Sequence, residues 1–180
     1  MSVPKNSKPV KLVIGLFMQD KGLCGPLAAS LEQEFGPIDT VSAWLPFDYT
    51  AYYEDEMGAP LFRRMLTFKS LIRPGGLPDI KLTTNGLEQS CLNSGKRRVN
   101  IDPGYLTLER FVLATGKNFT HRIYLAKGIY ADLTLIYQKG GFQKLPWTYP
   151  DYEDRRMKAF LEKVRRKYVM DLTRTTGPEI

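Results

Sequence analysis

Hydrophobic and polar positions follow different rhythms along this chain. Lys11–Met18 is a continuous apolar run closed by Gln19, Asp20 and Lys21. Its Val13 and Ile14 favour a pleated surface, so it reads as a buried strand. Pro26 can open a helix, because its missing N–H costs nothing in the first turn. Leu27, Leu31 and Phe35 follow at helical spacing, and Gly36 ends the run. Val41–Phe47 changes to a period of two, with Val41, Ala43, Leu45 and Phe47 on one face. YYEDEM reads as a short helix, capped by Thr50 and closed by Gly58. Arg64–Ile72 alternates again, and RPGGLPD marks a firm turn.

A second helix is predicted from Pro78 or Asp79 to about Leu92, with Ile80, Thr84, Leu87 and Cys91 inward. Arg98–Asp102 is a fourth strand, halted at Pro103-Gly104. Thr107–Thr115 has a hydroxyl cap at its start and Gly116 after its end, which predicts a helix. His121–Ala126 and Ile129–Tyr137 flank Lys127-Gly128, a natural two-residue turn in which glycine supplies a positive φ. The aromatic segment GGFQKLPWTYPDY leads to a last helix, Tyr152–Leu172, whose stripe is Met157, Phe160, Leu161, Val164 and Tyr168. The first six main elements therefore run β-α-β-β-α-β. That order predicts an α+β fold of the ferredoxin-like kind: an antiparallel sheet with helices on one face, extended by a β-hairpin and a C-terminal amphipathic helix. A single domain is expected over residues 1–180, ordered from about 10 to 172, with a loose tail over 173–180.

Composition changes this picture little. Apolar residues make up 43% and charged residues 25% of the chain, ordinary values for a globular protein. The apolar run at Lys11–Met18 is far shorter than the roughly 20 residues that span a bilayer, so no membrane partner is expected. Cys24 and Cys91 match neither a zinc spacing nor a CxxC pair, which suits reduced thiols in a cytoplasmic protein. Charge does change the picture. The net +7 is uneven: Gly95–Lys127 holds seven cations against Asp102 and Glu109, whereas Asp48–Glu56 holds four acids and no cation. A basic zone of that kind attracts phosphates, on a small anionic ligand or on a nucleic acid.

Three stretches carry a family resemblance: PFDYTAYYEDEMG, NIDPGYLTLERFVLATGKNFTHRIYLAKGIYADLTLIY and WTYPDY. From roughly Lys11 to Leu172 the chain resembles a bacterial family of uncharacterised proteins, a domain of unknown function. Some of its members carry the label GTP-binding protein. The resemblance implies a single soluble domain and no particular activity. The residues themselves contain no GxxxxGK(S/T) loop, since Gly95-Lys96 and Gly116-Lys117 lack the upstream glycine that such a phosphate cradle needs.

Candidate chemistry gathers between Arg98 and Asp132. With Lys127-Gly128 as the turn, Ala126 pairs with Ile129 and Ile123 with Asp132. His121, the only histidine, then lies diagonally from Asp132 on one face, with Tyr130 further along. A carboxylate beside an imidazole fixes its tautomer and raises its pKa. That suits a general base, a metal ligand or a plain structural hydrogen bond. On the fourth strand Asn100 and Asp102 share a face, and Asp102 sits where Pro103 bends the chain. An Asp-Pro-Gly turn also uses its carboxylate to accept backbone N–H groups. His121, Asp132 and Asp102 are therefore the candidate catalytic groups. The same three, joined by Glu109, are candidate ligands for a divalent metal: magnesium or manganese through oxygens, manganese or zinc with the imidazole. Lys117, Asn118, Arg122 and Arg98, with Asn100 and Tyr130, are candidate contacts for the ligand. Tyr49, Tyr52 and Tyr53 could stack on a base from the far side of a cleft.

Three functions compete. The preferred one is binding, or acting on, a small phosphorylated or nucleotide-like ligand, with the reaction left open. An RNA-binding module is the second, although the RNP1 pattern of basic, glycine and alternating aromatic residues is missing. An adaptor that assembles through its C-terminal helix is the third. The first requires the hairpin and the fourth strand to turn their polar sides toward one hollow.

Overall fold

The computed structural model describes residues 1–175. At its centre is β1 (Val10–Met18), buried along its whole length. A strand covered on both faces has no polar side to show, which explains the unbroken apolar run. β4 (Leu61–Ile72) and β5 (Val99–Leu106) flank it, both antiparallel. β2 (Ile38–Val41) and β3 (Leu45–Phe47) pair with the far side of β4. Beyond β5 come β6 (Arg110–Thr115), β8 (Ile129–Gln138) and the edge strand β7 (Arg122–Ala126), while β9 (Gly141–Lys144) pairs with the far half of β8. The path β2-β4-β1-β5-β6-β8-β7, with β3 beside β4 and β9 beside β8, makes a nine-stranded antiparallel sheet among the described residues, larger than the sequence pattern predicts. The class is α+β.

Helices cover both faces. α1 (Cys24–Phe35) and α3 (Leu77–Ser90) pack on Leu12, Ile14, Leu16, Leu66, Phe68 and Ile101, while α2 (Glu54–Met57) is a single turn between β3 and β4. α5 (Arg155–Thr175) lays Met157, Leu161, Val164 and Tyr168 on the opposite face, against Val13, Met65, Leu106 and Phe111. Burial of each such side chain contributes about 1.5–3 kcal/mol. The buried members of that stripe, Met157, Leu161, Val164 and Tyr168, are consumed inside the molecule and are not themselves an assembly surface. The helix also starts later and ends later than expected. A single turn, α4 (Pro150–Glu153), precedes it, and the Asp154 carboxylate accepts the Arg156 N–H at 2.7 Å where α5 begins. The helix continues through Thr175, so it takes in 173–175 of the expected tail; the remaining tail residues lie outside those described.

Three further expectations are corrected. Thr107–Thr115 is a turn followed by β6, not a helix. The Thr107 hydroxyl accepts the Glu109 and Arg110 N–H groups at 3.2 Å each. A helix cap uses the same kind of bond, but here a backbone bond from Thr107 N to the Arg110 carbonyl closes a hairpin instead. The fourth strand does not halt at Pro103-Gly104; β5 runs on to Leu106. In the last hairpin Lys127 and Gly128 both take positive φ (56° and 76°), the type I′ geometry. A bulge between Tyr124 and Ala126 shifts the register, so Arg122, not Ile123, stands opposite Asp132.

Candidate functional site

The sheet opens between β5 and β6. The two strands pair only where Gly104–Leu106 meet Phe111–Leu113, and toward Val99 they part. Local chemistry allows this. The Ile101 N–H donates to Glu88 Oε1 at 2.5 Å, and Lys81 Nζ donates to the Ile101 carbonyl oxygen at 2.9 Å. Side chains of α3 thus replace a neighbouring strand. Pro103 points its backbone the same way as Ile101, two residues back, and has no N–H to leave bare. At the apex Gly104 permits close approach, because a Cβ there would sit 2.3 Å from the Val112 carbonyl oxygen. The wedge that results is a cavity of about 560 Å³, within the usual size for small-ligand sites.

One wall carries a buried guanidinium. Arg63 is 4% exposed, pairs tightly with Asp151, and lies 3.7 Å from Asp102 Oδ2. The rings of Phe47, Tyr152 and Phe17 surround it at 4.7, 5.0 and 5.3 Å. Burial alone would lower the Arg63 pKa; Tyr152, Asp151 and Asp102 outweigh it and hold the group above its ordinary value. Arg63 Nε and the Tyr152 hydroxyl have no hydrogen-bond partner among the described residues, an uncommon state for buried polar atoms. Burial, aided by the Asp102 charge, pushes the Tyr53 hydroxyl up to about 12. Tyr49, Tyr52, Tyr53 and Tyr149 complete an aromatic rim.

Most charges in the cavity are already committed. Asp132 accepts from Arg122 Nε at 2.9 Å and contacts His121 Nε2 at 3.2 Å. Arg97 grips Glu56 with two bonds and donates to Asn100 Oδ1 at 3.1 Å. Two groups stand apart. The Asp102 side chain is 29% exposed and makes no hydrogen bond among the described residues, only the 3.7 Å approach to Arg63. Lys117 Nζ lies 5.2 Å over the Tyr52 ring and has no carboxylate partner among them.

Eight of the sequence-derived candidates line this cavity: Asn100, Asp102, Lys117, Arg122 and Asp132, with Tyr49, Tyr52 and Tyr53 on its rim. The others stand elsewhere. His121 lies behind Asp132, stacked on Trp147 at 4.9 Å and met edge-on by Phe119. Arg98 pairs with Asp20 and borders a second hollow of about 460 Å³. Tyr130 packs against Tyr124, and Asn118 is exposed in the turn before β7. Glu109 bonds the Thr107 hydroxyl in the β5–β6 turn. No three His, Cys, Asp or Glu side chains among the described residues gather as a metal site; Asp132 Oδ2 is engaged by Arg122 and His121, and Asp102 sits on a separate strand.

Sequence reasoning missed Arg63, Asp151, Tyr152, Lys81 and Glu88. Arg63 occupies an inward position of β4 between Leu61 and Met65. Lys81 and Glu88 are seven residues apart on the stripe that also carries Leu77 and Thr84, and a polar residue on a buried stripe was the available signal.

These features define a class: an α+β domain whose antiparallel sheet splits to make a polar, aromatic-rimmed cleft. The chain belongs to the family Domain of unknown function (DUF4416), whose model matches residues 8–168. No curated protein and no solved structure matches it. No described helix is long and apolar enough to cross a membrane.

Proposed function

We propose that the cleft between β5 and β6 binds a small phosphorylated, nucleotide-like ligand. The observation that carries this is a pair of cavity charges on a wall rimmed by tyrosines: Lys117, with no carboxylate partner among the described residues, and Asp102, whose one ion pair there is the 3.7 Å approach to Arg63. Tyr52, 67% exposed, offers a face for a base. Lys117 supplies a point charge for phosphate. Asp102 accepts from a hydroxyl or amino group, as a carboxylate does on ribose. Arg122 links the two sides: its Nε holds Asp132 and its Nη1 donates to the Lys117 carbonyl at 3.0 Å. In this reading His121 and Asp132 are positioning residues for the Lys117 turn. Asp102 is the partly exposed carboxylate that lines the cavity and faces the ligand. The finer fold reading rests on β1-α1-β2-β4-α3-β5, whose strand order β2-β4-β1-β5 suits a ferredoxin-like unit. A cytoplasmic setting fits the two free thiols.

A thermal-shift screen tests the reading, with nucleoside phosphates, sugar phosphates, inorganic phosphate and a short RNA. A ligand at 100 times its Kd adds about 2.7 kcal/mol of stability. Nucleoside phosphates are expected to raise the melting temperature of the wild type. Lys117→Ala should weaken the phosphate-dependent part, and Asp102→Asn the preference for ribose over deoxyribose. Equal shifts in all three proteins, or none with any compound, would exclude the cleft as the binding site.

A further inference from the structure

We propose that β7 is the surface through which two copies of this chain pair, edge to edge, into one continuous sheet. β7 pairs with β8 on one side, and no described strand covers its other edge. Sheet edges are ordinarily blunted by short length, charge or proline. The opposite end of this sheet obeys that rule, with four-residue β2 and three-residue β3 carrying Pro46. β9 is also short and leaves Gln143 and Lys144 exposed. β7 is also short, five residues with a bulge before Ala126, but its exposed side chains are apolar where the other edges are polar. Ile123 is 70% exposed, Tyr124 58% and Leu125 39%, and Phe119, in the turn just before the strand, is 62% exposed, so large apolar groups crowd a bare backbone edge.

A second copy fits this edge because the strand is complementary to itself. A two-fold axis through Tyr124 sets Ile123 opposite Leu125 and Arg122 opposite Ala126. Arg122 is held inward by Asp132, and the exposed Lys127 has its charge paired with Asp79 at the surface, so neither cation stands unpaired against the approach. The area is sufficient but small. A covered aromatic buries roughly 150–250 Å², so Phe119 and Tyr124, each about three-fifths exposed, bring roughly 200–300 Å² per copy. With Ile123, Leu125 and the backbone edge the total over both copies is on the order of 1,000 Å², the lower bound for a specific interface. The dimer is therefore weak, with a Kd of roughly micromolar order.

Sedimentation of the full chain from about 1 to 500 μM, a range that brackets such a Kd, tests this. The mean mass is expected to climb from 20.6 kDa toward twice that value. Tyr124→Lys and Ile123→Lys, checked for unchanged circular dichroism, are expected to stay monomeric. Independently, Tyr124→Cys in a Cys91→Ser background should form a disulfide-linked dimer under mild oxidant, because facing Cα atoms in an antiparallel pair lie about 4.5–5.5 Å apart, within disulfide reach. Leu82→Cys in the same background, exposed on α3, should not. A monomer at every concentration, a dimer that survives Tyr124→Lys, or a Tyr124-dependent attachment to anionic vesicles without self-association would each overturn the proposal.

Discussion

Replacing Lys81 with methionine removes the charge that serves the Ile101 carbonyl while keeping most of the side chain's bulk. Lys81 is 9% exposed, and its Nζ lies 2.9 Å from that oxygen. A hydrogen bond from a charged donor contributes about 1.5–3 kcal/mol, and a buried acceptor left bare costs about 1–3 kcal/mol. These describe one loss from two sides, so they are not summed. Glu88 adds to it. Burial pushes its carboxyl above the ordinary value of 4.5, and the Lys81 charge pulls it back. Without Lys81 the ionised form is costlier still. The expected loss at pH 7 is about 2–3 kcal/mol, a sizeable part of a typical total of about 5–15 kcal/mol. Urea denaturation followed by tryptophan fluorescence reads it: at about 2 kcal/mol per molar, the midpoint falls by about 1–1.5 M. The sign with pH is fixed. A carboxyl whose folded pKa is raised favours folding fully below its unfolded value and loses that contribution as pH rises through the folded one. Lys81→Met should therefore cost more at pH 7 than at pH 4, and adding Glu88→Gln should flatten the difference. A midpoint change under about 0.3 M, or an equal loss at both pH values, would refute the idea that α3 stands in for a strand.

Other outcomes follow from the same contacts. Gly104→Ala drives a Cβ to within 2.3 Å of the Val112 carbonyl, so urea melts should show a loss of at least about 1–3 kcal/mol. Lys11 is fully buried and binds Asp39 at 2.6 Å and Asp171 at 2.8 Å. Lys11→Met should cost about 3 kcal/mol at pH 7. Burial would raise the pKa values of Asp39 and Asp171, but Lys11 and Lys167 outweigh it and lower them. Their contribution is present above about 3.8, the unfolded value, and is lost as pH falls through the folded values; stability measured from pH 5 to pH 2 should drop less steeply in Lys11→Met. His121→Ala should weaken nucleotide affinity less than Lys117→Ala does in calorimetric titration, because it acts on the ligand only through Asp132 and Arg122.

What local pattern could reveal was set by how local the cause was. β1 was legible because full burial on both faces leaves an unbroken apolar run. The last hairpin was legible because Lys127-Gly128 takes the backbone angles its residues favour. β6 was not, since the Thr107 hydroxyl makes the same bond in a turn as in a helix cap. The bulge before Ala126 was equally silent, and it exchanged Ile123 for Arg122 opposite Asp132. Of the cavity, the polar face of β5 and the turn at Lys117 were visible from spacing. Arg63 was not, because its partner Asp151 lies 88 residues away and a lone arginine in an alternating strand reads as an exposed one. Lys81 and Glu88 hid for a related reason: polar residues on a helix are ordinarily its wet face, and here they satisfy a backbone that has lost its neighbour.

The most direct measurement is an NMR titration of the full chain with a nucleoside monophosphate, followed through backbone amides and the lysine ammonium signals. Saturable shifts are expected at Tyr52, Asn100, Asp102, Gly116 and Lys117, which surround the opening between β5 and β6, and the Asp102→Asn protein should bind with lower affinity. Shifts centred instead on Arg98 and Asp20 at the second hollow, or spread over surface lysines without saturation, would contradict a ligand cleft at the point where the sheet divides.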